Sequence, residues 1–121
     1  MPTYRLLLKG GFLPAWATAS QEEKDRITQM WIDAHRDWAR MGARLITTLD
    51  DTLFRCGLPG GTKPWTFYEV WEIDRLEVVK EMLDLFRPQR SGAVRVDSYF
   101  RIEGIVGLPI PPAERAALAA S

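Results

Sequence analysis

The chain is poor in the residues that build redox and transition-metal chemistry: of 121 residues, one is cysteine and one is histidine. A lone Cys56 excludes an intramolecular disulfide framework, which fits a reducing compartment. With neither cysteine nor histidine beside it, Cys56 reads as a small core or strand residue rather than a nucleophile or ligand. His35 has no second histidine or cysteine pair with which to share a transition metal, so no metal site is expected. Net charge is missing too. Sixteen Lys and Arg balance 16 Asp and Glu, leaving no electrostatic footprint for nucleic acid or an anionic membrane. The apolar runs beside Arg5 and Lys9 are too short for a signal peptide or a membrane span, and a cytoplasmic location is expected. No internal repeat is present.

What the chain does have is one stretch rich in aromatic and β-branched residues, from Trp65 to Val79. Its first half alternates, Trp65, Phe67, Glu69 and Trp71 against Thr66, Tyr68, Val70 and Glu72, as a strand does. Its second half repeats every three to four residues. Asp74 followed by Glu77 is a capping-box-like pair, placing the cap of a second helix at Asp74. That helix carries an apolar stripe of Leu76, Val79, Leu83 and Phe86, with Met82 at its margin, and Pro88 ends it.

Earlier in the chain, Thr3–Lys9 reads as a strand closed by Gly10-Gly11, and Phe12–Ala19 shows no period and reads as a loop. Ser20 and Glu23 form a capping box that opens the longest helix, which runs to about Met41 and stops at Gly42. Ile27, Met30, Trp31, Ala34, Trp38 and Met41 recur on it at helical spacing. His35 stands at the edge of that stripe, where a core face meets a cavity mouth. Two roles are open to it: a half-buried histidine bonded to a polar neighbour, or a base. From Ala43 to Cys56 come two β-like runs broken at Asp50-Asp51, whose carboxylates face opposite ways in a strand and read as a solvated bend. Gly57–Pro64 is a loop of turn formers, and it leads into a strand rather than the helix N-terminus that a phosphate loop requires. Gln89–Asp97 reads as irregular. Tyr99–Val106 is the last strand, and from Pro112 a short alanine-rich helix is expected.

The resulting order is strand, helix, strand, strand, helix, strand. That is an α+β, ferredoxin-like split β-α-β domain over residues 1–107: a four-stranded antiparallel sheet with both helices on one face. Residues 108–121 form a Pro/Ala-rich tail suited to crossing a partner subunit. A sheet covered on one side only, with an apolar set of positions on the other, predicts a homodimer.

Tyr68-Glu69-Val70-Trp71-Glu72-Ile73-Asp74 with the helix from Arg75 resembles the strand-to-helix signature of the dimeric α/β-barrel superfamily, in particular its antibiotic biosynthesis monooxygenase-like branch. The segment His35–Gly42 is similar to that of YCII-related members, and Tyr99–Gly107 to the darcynin-like group. The fit spans about residues 3–107. Lys80, Glu81 and Met82 stand where a histidine is common in the monooxygenases, and the paired histidines of haem-degrading members are missing. The resemblance implies dimeric pairing and a small-molecule pocket between sheet and helices.

The residues suggest a pocket as well. Trp65, Phe67 and Trp71 share a strand face with Glu69, and Arg5, Lys9, Arg101 and Glu103 lie on neighbouring strands. Aromatic walls with a few charges suit a flat aromatic or polyketide-like ligand. The expected activity is cofactor-independent proton abstraction, followed, as the resemblance implies, by oxygenation as in the monooxygenase branch or by ring closure or rearrangement as in cyclase members. His35 would act as base, Glu69 would orient it or replace it, and Arg101 with Tyr68 or Tyr99 would hold the oxyanion. Trp31, Trp38, Trp65, Phe67 and Trp71 would form the walls. Two other readings stand beside it: a non-catalytic ligand-binding or stress-response dimer that uses the same pocket, and an interaction module working through the Pro-rich tail.

Overall fold

The computed structural model describes residues 3–50, 66–84, 90–91, 94–95 and 99–114. Along the chain come β1 (Tyr4–Phe12), α1 (Pro14–Thr18), α2 (Gln21–Arg40), β2 (Arg44–Asp50), β3 (Phe67–Ile73), α3 (Leu76–Asp84), β4 (Arg90–Ser91), β5 (Val94–Arg95) and β6 (Phe100–Gly107). The architecture is α+β. Four strands form an open sheet in the order β2-β3-β1-β6, and each neighbouring pair is antiparallel.

α2 begins where the sequence places it: the Ser20 hydroxyl accepts the Glu23 N–H at 3.1 Å, satisfying one of the free donors of the first turn. It ends before Gly42, whose φ of 100° a side chain would strain. Its stripe meets the sheet. Ile27 and Trp38 join Leu6 and Leu8 of β1, Trp71 and Ile73 of β3, and Val78, Val79 and Met82 of α3 in one buried core. Both longer helices therefore cover the same face of the sheet.

The opposite face carries the alternate residues, and its charges pair across strands. Glu72 takes Arg5 at 3.1 Å and Arg44 at 2.7 Å, Arg44 also reaches Asp74 at 3.2 Å, and Lys9 meets Glu103 at 3.5 Å. The hydrogen bonds and charge of Arg44 hold the Asp74 carboxyl below its usual range.

Several expectations need correction. Gly10-Gly11 does not end β1, which runs on to Phe12, because Gly10 pairs with Phe67 and Gly11 with Arg101. Gly10 makes room for the Phe67 ring of the next strand rather than for a turn. Pro14–Thr18 is a short helix with proline in its first turn, where the missing N–H costs nothing. α3 starts at Leu76, two residues after Asp74, whose carboxylate engages Arg44 at 3.2 Å. Its buried face is Val78, Val79 and Met82, so Met82 is central while Leu76 is 49% exposed. Arg90–Ser91 and Val94–Arg95 pair as a small ladder within the span read as irregular. The irregularity of β2 falls at Ile46, between Leu45 and Thr47, while Asp50 closes the strand in register with Phe67. Asp51–Cys56, the loop Gly57–Pro64, Trp65 and Phe86 lie outside the described residues.

The corrected face of α3 is testable. Met82→Ala should cost about 2–5 kcal/mol by urea denaturation, as expected for truncating a fully buried long side chain, whereas Leu76→Ala should cost less than about 1 kcal/mol. Equal losses would return Leu76 to the core stripe.

Candidate functional site

Alternation along β3 turns Phe67, Glu69 and Trp71 toward the helices. Glu69 thus places a carboxylate on the core side of a strand flanked by β2 and β1, and it is only 6% exposed. A charge buried there must be partnered. Trp71, two residues on, donates its indole N–H to Glu69 Oε1 at 3.0 Å. His35 Nε2 lies 2.7 Å from Glu69 Oε2.

The state of His35 follows from its other nitrogen. Nδ1 is 2.8 Å from the Trp31 carbonyl oxygen one turn earlier. A carbonyl only accepts, so Nδ1 carries a proton and donates it. Nε2 and Oε2 at 2.7 Å then need a second proton between them. The pair holds that proton as imidazolium and carboxylate or as imidazole and carboxylic acid, neutral overall either way. Burial lowers the His35 pKa, but the hydrogen bond and charge of Glu69 and the bond to the Trp31 carbonyl outweigh it, and the net shift is upward. The rings of Trp31 and Trp38, each 4.7 Å from the imidazole, and of Trp71 at 5.5 Å pack around it.

Beside this pair opens a cleft of about 330 Å³, within the range of small-ligand pockets. Phe12, Trp16, Trp31, Phe67 and Phe100 line it, with Thr28 from α2, Thr48, Leu49 and Asp50 from β2, and Tyr68 and Glu69 from β3. The rings brace one another. Trp16 and Phe100 are 5.1 Å apart, Phe12 and Phe100 5.2 Å, and Trp31 meets Phe67 edge-on at 5.2 Å. Glu69 lines the cleft from the core side of β3, and His35, which does not line it, stands behind Glu69.

The sequence-named residues divide accordingly. His35, Glu69, Trp31 and Phe67 come together. Trp38 and Trp71 are buried around His35 and do not line the cleft. Arg101 is exposed on the other face, opposite Gly11, because Phe100 and Ile102 are the inward residues of β6. It cannot hold an oxyanion beside His35. Tyr68 touches the cleft rim, but the pleat turns its side chain to the outer face. Tyr99 is buried elsewhere and donates to Glu23 Oε2 at 3.1 Å; burial first and that bond second raise its pKa. Trp65 lies outside the described residues. Phe12, Trp16 and Phe100 were missed as walls. The signal for Phe12 was two-residue alternation from Leu6 and Leu8 through Gly10, legible only if the glycines are read as strand.

No family model and no curated protein matches the chain. Among the described residues, no group of three or more His, Cys, Asp or Glu is placed to hold a metal ion, and no helix is long and apolar enough to cross a membrane.

A histidine whose folded pKa exceeds its unfolded value of 6.5 adds stability that is fully present below pH 6.5 and lost as pH rises through the folded value. In Glu69→Gln the upward contributions of the carboxylate are removed, and burial, the largest single contribution, remains against only the bond to the Trp31 carbonyl. The single histidine resonance should therefore titrate above 6.5 in the wild type and below it in the variant. The stability advantage of the wild type, from urea midpoints between pH 5.5 and 8, should shrink as pH rises. A constant difference across that range would remove His35 from the linkage.

Proposed function

We propose that the protein is a cofactor-independent small-molecule enzyme that takes a proton from a flat aromatic or polyketide-like substrate, with Glu69 as the base. The observation that carries this reading is the buried Glu69 carboxylate at the inner end of an aromatic cleft, aimed by His35 Nε2 at 2.7 Å and Trp71 Nε1 at 3.0 Å. Each carboxylate oxygen has two lone-pair sites, so one remains for the substrate proton after each internal bond. His35 is a positioning group in this scheme, and the role of base passes to the carboxylate.

Electrostatics supports the assignment. Before reaction the pair is neutral. Once Glu69 has taken the substrate proton, the pair with its imidazolium carries a positive charge close to the new enolate or phenolate, which supplies the stabilisation that Arg101 is too distant to give. The anion then reacts with dioxygen, or closes or rearranges a ring.

The strand order β2-β3-β1-β6, with both longer helices on one face, fits the ferredoxin-like split β-α-β plan of the dimeric α/β-barrel superfamily. In that plan a second copy covers the outer face, where Leu7 and Val70 stand opposite each other and Ile105 is 49% exposed. A second reading, binding without chemistry, draws on the fact that both oxygens of Glu69 already have partners inside the protein.

Incubation with anthrones, naphthols and related polyphenols, in air and without oxygen, followed by mass analysis, separates the outcomes. Oxygen gained only in air identifies a monooxygenase; unchanged mass or loss of water in both identifies an isomerase or cyclase. Glu69→Gln should lower turnover by about 10²–10⁴, the usual contribution of a positioned base, with ligand affinity changed less than about threefold. Affinity lost in step with turnover would remove Glu69 as base. Quenching of tryptophan fluorescence with no product at all would favour the binding protein.

A further inference from the structure

Gly10 and Phe67 stand directly opposite on β1 and β3. A Cβ built on Gly10 would fall 2.0 Å from Phe67 Cζ, 2.2 Å from Cε2 and 2.7 Å from Cε1, so the ring occupies the place a side chain at position 10 would need. The ring lies down on β1, and its exposed side forms part of the cleft wall. Trp31 meets it edge-on at 5.2 Å, and Phe12 stands 6.0 Å away. On the other side of Phe67 its cross-strand partner is Asp50, which lines the cleft with Thr48 and Leu49.

The breadth of the cleft between Phe67 and β2 therefore depends on the ring being folded toward β1. Side chains move between staggered positions. A methyl group at position 10 would expel the ring from β1, and the remaining directions carry it over the space bordered by Thr48 and Asp50.

We infer that Gly10 determines the specificity of the cleft: by giving the Phe67 ring its place on β1, it leaves room for fused, planar ring systems rather than single rings. This inference rests on the cleft being the ligand site proposed above, and it adds the class of ligand by ring count and the residue that sets it. Gly10 touches no ligand and acts through Phe67.

The test uses phenol and anthrone as one-ring and three-ring probes, with binding followed by the fluorescence of the tryptophans at the cleft. Wild-type protein should bind anthrone at least tenfold more tightly than phenol. Gly10→Ala should weaken anthrone at least tenfold and phenol less than threefold, and Gly10→Ala combined with Phe67→Leu should restore most of the anthrone affinity. Should Gly10→Ala fail to fold, Phe67→Trp carries the same test with Gly10 in place, since the larger ring must project into the cleft and lower the anthrone-to-phenol ratio at least fivefold. A folded Gly10→Ala with an unchanged ratio overturns the inference while leaving the cleft reading intact, as does an unchanged ratio in Phe67→Trp where that variant carries the test. Wild-type protein that binds neither probe overturns the cleft reading, and the inference falls with it.

Discussion

The rest of the structure depends on one buried carboxylate. Glu69 sits on the core side of β3, where an unpartnered charge would cost several kcal/mol, and the partners it finds tie separate elements together. Trp71 belongs to the same strand, but His35 comes from α2, and its ring is itself anchored to the Trp31 carbonyl of the preceding turn. Anchoring at both nitrogens leaves the imidazole little freedom. α2 must therefore cross β3 at one height and with one rotation, which places Trp38 in the core and Trp31 at the cleft. A purely apolar interface would tolerate small slips between helix and sheet; a directed hydrogen bond from a side chain itself held within the helix does not.

The same alternation that buries Glu69 sorts the remaining polar residues. On β1, β3 and β6, one set of positions goes to the helices and the other to the outer face, where Arg5, Arg44, Glu72 and Asp74 form linked ion pairs. Arg44 and Glu72 hold opposite charges at paired positions, the arrangement that makes cross-strand pairs favourable. These charges stabilise the sheet from outside and take no part in the cleft. Arg101 and Tyr68 fall on that side because odd and even positions of a strand cannot share a face.

Most of the fold was legible because it rests on local rules. Ser20 with Glu23 and Gly42 bound α2, alternation marks β1, β3 and β6, and the order of elements gives the α+β class. His35 and Glu69 were legible as neighbours, the first from its place at the stripe edge and the second from its aromatic company. What was lost depends on contacts between elements. Gly10-Gly11 has the composition of a turn, and only the pairing of Gly10 with Phe67 and of Gly11 with Arg101 shows that it is strand. Leu76 fits a helical stripe as well as Val78 does, and the choice between them rests on how α3 lies against the sheet. The chemical order of the pair was hidden for the same reason. A histidine has the more suitable unperturbed pKa for a base, but both of its nitrogens are occupied, and this cannot be read without the Trp31 carbonyl in view.

That occupancy gives the pair a property a free histidine would lack. Two groups sharing one proton present a neutral site to an incoming ring, so an uncharged aromatic ligand meets no uncompensated charge in a low-dielectric cleft. In the proposed reaction the positive charge emerges only when Glu69 accepts the substrate proton, at the step where the substrate becomes an anion. An interaction that is weak with the bound substrate and strong with the anion lowers the barrier rather than merely tightening binding. The indole rings of Trp31, Trp38 and Trp71 packed around His35 suit that role, since they exclude water without supplying a competing proton acceptor. The features that make Glu69 tolerable in the core are thus the ones that would make it a base whose charge partner is already in place.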